Sequence, residues 1–136
     1  MITALDSSVL IQLLRRQPGW EIWRDRLTLA ATEGPLVICP VVFAECSGGY
    51  PSSAAAVQDF EGIQLRFDDF SPDSAYLAGQ TFHRYRQAGG PREHLIPDFL
   101  IAAHARIQAD RLAAIDRGYL RQWFPDLKLL AGDGGR

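Results

Sequence analysis

Ile2-Thr3-Ala4-Leu5-Asp6-Ser7-Ser8-Val9-Leu10-Ile11-Gln12-Leu13-Leu14 is a short apolar run, an acid, and then a stretch whose apolar residues recur at helical spacing. Residues 2–5 predict a strand. Leu10, Ile11, Leu13 and Leu14 predict the buried side of a helix over 7–16, with Ser7 or Ser8 able to cap it. A strand that passes directly into a helix is the building unit of α/β proteins. Working outward, the alternation continues. Trp20, Trp23, Leu27 and Ala31 predict a second helix over 20–32, after the breaker Pro18-Gly19. Leu36-Val37-Ile38-Cys39 reads as a buried strand, and Pro40 starts a helix to about residue 47. A short helix over 51–60, a strand over 63–67 and a long helix from Pro72 to about residue 88 follow. Gly89-Gly90-Pro91 ends that helix, and a loop with Arg92, Glu93 and His94 leads to a helix opening at Asp98. Leu112-Ala113-Ala114-Ile115 is another strand, and residues 127–130 predict a last one. The expected architecture is a three-layer α/β/α domain over residues 1–131, with a mostly parallel sheet of four or five strands. The glycine-rich tail 132–136 reads as disordered. Periodicity does not give the strand order.

Composition agrees with a folded chain. Of 136 residues, 47% are hydrophobic and 22% charged, which suits one domain with a sizeable core. A net charge of -2 excludes a generally basic nucleic-acid coat but not a local basic patch. Lys128 is the single lysine, so the cationic chemistry is arginine chemistry. Arginine forks suit phosphate, although a G+C-rich genome gives the same bias. Cys39 and Cys46 have neither a second pair nor suitably spaced histidines, so they read as two reduced thiols rather than a disulfide framework or a zinc site. No basic segment followed by a long apolar stretch opens the chain, and no apolar run approaches the roughly 20 residues that span a bilayer. A soluble cytoplasmic protein is expected.

Four acids stand at the ends of apolar segments. Asp6 follows the first strand and Asp116 follows the run 112–115; Asp98 opens a helix, and Glu45 follows Val41-Val42-Phe43-Ala44, where burial is expected. In an α/β fold, strand ends and helix starts meet at one edge of the sheet, where ligands of open α/β sheets bind. Carboxylates gathered there repel: at an effective dielectric of about 20, a pair roughly 4 Å apart costs about 4 kcal/mol. They protonate, or they hold a hard divalent cation. Taken singly, each acid has a simpler reading, as a helix-start charge for Asp6 and Asp98, a turn residue for Asp116 and a solvated helix face for Glu45. One placement at a sheet edge explains all four together.

Asp6-Ser7-Ser8-Val9-Leu10, the mid-chain Glu45, Asp98-Phe99-Leu100-Ile101-Ala102-Ala103 and Ile115-Asp116-Arg117-Gly118-Tyr119 together resemble the PIN-domain nucleases, and more narrowly the VapC-type toxins of bacterial toxin–antitoxin pairs. The resemblance covers nearly the whole chain, in order. Ile115 departs from it, since the family often has Thr or Ser at or near the place before the fourth acid. The resemblance implies a metal-dependent endoribonuclease that cleaves RNA by metal-activated water, with Mg²⁺ or Mn²⁺ as cofactor. It implies Asp6 and Asp98 as primary ligands, Glu45 and Asp116 completing the site directly or through water, and Ser8 orienting Asp6 or a water. It further implies a VapB-like antitoxin partner, a homodimer, and a transfer or ribosomal RNA substrate.

Arg84, Arg86, Arg92, Arg117 and Arg121 are the candidates for holding RNA phosphates, with Arg117 best placed beside Asp116. His83, His94 and His104 lack ligand spacing, and His104 is expected at the surface of the Asp98 helix or in a polar contact. Trp20 and Trp23 share a helix face, as core or as interface anchor. Two alternatives stay open on the residues alone: a housekeeping RNA-processing nuclease using the same acids, and a catalytically silent α/β module that binds a partner.

Overall fold

A computed structural model describes residues 1–130. Its sheet has four strands: β1 (Thr3–Leu5), β2 (Leu36–Ile38), β3 (Leu65–Phe67) and β4 (Arg111–Ala113). They lie in the order β3-β2-β1-β4, and every pairing is parallel. Strand β1 is one of the two inner strands, with Ala4 opposite Val37 on one side and Leu112 on the other. Strand β1, the first residues of the quoted stretch, therefore sits where the order reverses. The chain steps from β1 to β2 to β3 in one direction and returns to the far side of β1 for β4. With right-handed crossovers, the first two connections cover one face and the third covers the other, which gives the three layers. The crevice at such a reversal, beyond the carboxyl ends of the strands, is where open α/β sheets bind ligands.

The helices are α1 (Ser7–Leu14), α2 (Trp20–Glu33), α3 (Pro40–Ser47), α4 (Ser53–Gly62), α5 (Pro72–Gln87), α6 (Ile96–Gln108) and α7 (Gly118–Trp123). Local chemistry sets most of their starts. Asp6 in extended geometry caps α1, Ser52 caps α4 through the Ala55 N–H at 3.1 Å, and Ser71 caps α5 through the Ser74 N–H at 3.1 Å. Proline occupies the first turn of α3, α5 and α6, where its missing N–H costs nothing. Gly19 precedes α2 at φ +93, a conformation that favours glycine.

The core is continuous from the sheet to both helical layers. Leu5, Ile38 and Leu112 of the strands, Val9 and Leu10 of α1, Val42 of α3, Phe60 of α4 and Phe99 of α6 are all essentially inaccessible. Trp23 lies in this core, whereas Trp20 stays half-buried at the surface, with the guanidinium carbons of Arg16 and Arg24 at 5.0 and 5.1 Å from its ring. No described helix is long and apolar enough to cross a membrane.

Several expectations change. The strand expected over 127–130 is a single parallel bridge, Leu112 to Leu129, held by the Leu112 N–H on the Lys128 carbonyl and the Leu130 N–H on the Leu112 carbonyl. Helix α7 was not expected, because Arg117-Gly118 reads as a turn. Helix α6 begins at Ile96, two residues before Asp98. Of the two expectations for His104 the polar contact holds: it is 1% exposed, and its Nε2 lies 2.8 Å from Asp68 Oδ2. The tail 132–136 lies outside the described residues.

Candidate active site

Asp6 is the first residue beyond β1, and its N–H donates to the Ala113 carbonyl at the end of β4. It is therefore fixed at the carboxyl edge of the two strands that flank the reversal. Its Oδ2 accepts from the Ser8 N–H at 3.2 Å and from the Ser8 hydroxyl. Among the described residues, Oδ1 takes no hydrogen bond. Burial pushes the Asp6 carboxyl pKa up, the two Ser8 bonds oppose that rise, and the carboxylates of Asp98 and Glu45 add to it.

Asp98 is the third residue of α6. Its Oδ2 accepts from the Leu95 N–H at 3.1 Å, closing the helix start, and lies 3.6 Å from His94 Nδ1. Here too Oδ1 is without a hydrogen bond among the described residues. Each of these two acids thus spends one oxygen on its own helix start and leaves the other uncommitted.

Glu45 belongs to α3, which packs against both α1 and α6. The burial expected for it is not found, because Glu45 and Ala44 are exposed. Val42 is the buried residue of this eight-residue helix, and Glu45, nearly one turn further along, is exposed. The Ser7 hydroxyl donates to Glu45 Oε1 and ties α3 to the start of α1. Asp116 is exposed in the loop after β4, its Oδ1 accepting from the Gly118 N–H at 3.4 Å.

All four acids act electrostatically on one side chain. Tyr119, on the unexpected helix α7, has its phenol pKa driven up by burial and then by Asp6, Asp98, Asp116 and Glu45 together. Its ring stacks on His94, with centroids 4.0 Å apart and planes inclined by 23°. Ser8 also bridges the cluster, since its hydroxyl bonds Asp6 and lies 3.4 Å from the Ile115 N–H. Sequence reasoning overlooked Ser7 as a partner of Glu45, and both His94 and Tyr119. Only the Gly118-Tyr119 part of the fourth motif hinted at the last.

The arginines divide. Arg117 is not free beside Asp116: its Nε and Nη2 donate to the carbonyls of Ala114 and Leu130, at 3.2 and 2.8 Å. That guanidinium holds the end of the described chain to the β4 loop. Burial, with Arg121 and Arg26 nearby, pulls its pKa below the ordinary arginine value. Arg84, Arg86 and Arg92 are exposed at the end of α5 and in the loop entering α6. Arg86 lies 5.9 Å from the Phe82 ring. Both cysteines are free thiols. Burial raises the Cys39 pKa, and burial with Glu45 pushes Cys46 up to about 11, so neither is an activated nucleophile.

Among the described residues, no three His, Cys, Asp or Glu side chains stand together as a metal-ligand group. A small hard cation does not need one. Mg²⁺ keeps several waters and binds through one or two carboxylates. The donors fit it: hard carboxylate oxygens, of which Oδ1 of Asp6 and Oδ1 of Asp98 accept no hydrogen bond among the described residues.

Comparison with known proteins agrees with this fold. Three solved structures illustrate the similarity of fold. A chain of VapBC2 from Rickettsia felis, bound to a DNA fragment from its promoter, has a TM-score of 0.75 at 23% identity, over 95% of this chain and 97% of that one. A chain of VapBC-1 from nontypeable Haemophilus influenzae gives 0.71 at 21%, over 95% and 96%. A chain of FitAcB from Neisseria gonorrhoeae gives 0.62 at 19%, over 96% of both. No curated protein matches the sequence. The family model described as PIN domain matches residues 3–122, from β1 through most of α7, and the chain belongs to the PIN domain family.

Proposed function

We propose that this chain is a divalent-metal-dependent endoribonuclease and the toxin of a type II toxin–antitoxin pair. The observation that carries the reading is that Asp6, Asp98, Glu45 and Asp116 all act on one half-buried side chain, Tyr119, and that Asp98 and Glu45 both raise the Asp6 carboxyl pKa. Likeness of fold to chains of VapBC complexes supports the toxin assignment. Asp6 and Asp98 would hold the metal, with Glu45 and Asp116 completing the site directly or through water. When bound, Mg²⁺ or Mn²⁺ supplies an activated water and stabilises charge on the leaving oxygen.

The chain's own residues do the rest. Ser8 fixes the Asp6 carboxylate, the Leu95 N–H fixes Asp98, and the Ser7 hydroxyl steers the exposed Glu45. Arg84, Arg86 and Arg92 hold RNA phosphates, so affinity falls with salt. The partner is a VapB-like antitoxin, and the active form is a homodimer.

Induced expression in a bacterial host tests the toxin reading. Wild-type protein should arrest growth, Asp6→Asn protein at equal soluble level should not, and co-expression of a short reading frame adjoining the gene should restore growth. Undisturbed growth at that level of wild-type protein contradicts it.

A further inference from the structure

One feature of the acid cluster is not explained by metal binding. The imidazole of His94 and the phenol of Tyr119 come from different elements, the loop before α6 and helix α7, yet stack at 4.0 Å with planes 23° apart. A carboxylate bordering the pair belongs to the cluster: His94 Nδ1 is 3.6 Å from Asp98 Oδ2. Rings behind them set the orientation. Tyr85 stands nearly perpendicular to His94 at 6.4 Å, and Phe99 lies tilted to Tyr119 at 6.1 Å. Both Tyr85 and Phe99 are buried, so the column is built on the core. The two stacked rings themselves are half-buried, and His94 keeps 17% of its side chain in water. The Tyr119 hydroxyl has no hydrogen-bond partner among the described residues, so nothing polar accounts for the ring's position.

Single-stranded RNA offers unstacked bases, and aromatic side chains capture them by stacking with little regard to sequence. We propose that the His94–Tyr119 pair is a stacking platform for a nucleobase beside the scissile phosphate, the base extending the column of the two rings. This rests on the ribonuclease reading. The arginines of α5 and the following loop grip the backbone, and the platform seats one base, so the phosphate next to that base is the one presented to the acids. The platform therefore selects unpaired RNA rather than a particular base.

The test uses a short single-stranded RNA spanning a cut mapped with the wild-type enzyme, with 2-aminopurine placed in turn at each position flanking the cut. Binding is followed in an Asp6→Asn background, which slows cleavage without touching either ring. One flanking position should change fluorescence on binding. His94→Ala should abolish that change and weaken binding about tenfold, in the range of losing one stacked base. His94→Phe should retain both within about twofold, and Tyr119→Phe likewise. Circular dichroism melting of each variant separates loss of the fold from loss of the platform. Unchanged fluorescence and affinity in a folded His94→Ala protein would overturn the platform and leave the nuclease reading standing. Equal losses in His94→Ala and His94→Phe would also overturn it, since a ring that stacks would have been restored. If wild-type protein neither binds nor cuts RNA, the nuclease reading itself falls and takes the platform with it.

Discussion

Asp6 does two jobs that pull in opposite directions. As a cap it satisfies the Ser8 N–H and suits the helix start; as a buried charge among like charges its carboxyl pKa is raised. A raised folded pKa contributes stability that is complete below the unfolded carboxyl value near 3.9, and that stability is lost as pH rises through the folded value. Ionised Asp6 therefore costs stability at neutral pH. Asparagine caps about as well as aspartate, so Asp6→Asn removes the charge and keeps the cap. In chelator at pH 7 the variant should melt above wild type, and the gap should close as pH falls into the carboxyl range. Added Mg²⁺ should raise the melting temperature of wild type more than that of the variant. A variant that melts below wild type at pH 7 would mean that the charge serves the helix alone. Ser7 makes a second residue-scale case. Its hydroxyl holds the exposed Glu45, so Ser7→Ala should weaken metal affinity by roughly tenfold, the usual cost of losing an outer-shell partner; titration calorimetry measures it, and unchanged affinity would remove Ser7 from the site. The acids were legible in the sequence because each stands at the end of an apolar segment. Ser7, His94 and Tyr119 were not, because their roles arise only where α3, the α6 entry and α7 meet.

Elements were legible wherever local chemistry fixes them. The break at Pro18-Gly19, the start at Pro40 and the cap at Ser71 set α2, α3 and α5 close to their expected places. Two elements were misread for physical reasons. Helix α7 has six residues, too few to show a period, and opens on Gly118, a turn residue. The run 127–130 is apolar enough for a strand but pairs with β4 through one bridge only. What joins β3 to the α5–α6 pair is equally invisible in sequence. Asp68, just past β3, meets the buried His104 of α6, and Gln108 reaches both Asp68 Oδ2 at 3.2 Å and the Asp69 carbonyl at 2.8 Å. Gln108 Oε1 in turn accepts from the Ser71 N–H and the Ser74 hydroxyl, at 2.9 and 2.7 Å. This network anchors the start of α5 on the helix that carries Asp98. Asp68→Ala strands the His104 ring nitrogen in the core and should cost about 1–3 kcal/mol in urea unfolding. A change below about 0.5 kcal/mol, the range of ordinary surface substitutions, would show that the network is incidental.

At the scale of the molecule, alternation of strands and helices announced a parallel sheet, but not its order. That order, β3-β2-β1-β4, follows from long-range packing, and it is what gives the acids a common address. Asp6 and Asp116 follow the two strands that flank the reversal, while α3 and α6 bring Glu45 and Asp98 to the same edge. On the proposed reading this edge is a metal-dependent ribonuclease site. Purified protein should be incubated with total cellular RNA in Mg²⁺, in Mn²⁺ and in chelator, with Asp6→Asn and Asp98→Asn proteins alongside. Discrete fragments that require metal, and a loss of at least about 100-fold in each variant, are the predicted result. Cleavage at equal rate by wild type and both variants, or fragments that form as readily in chelator, would contradict it.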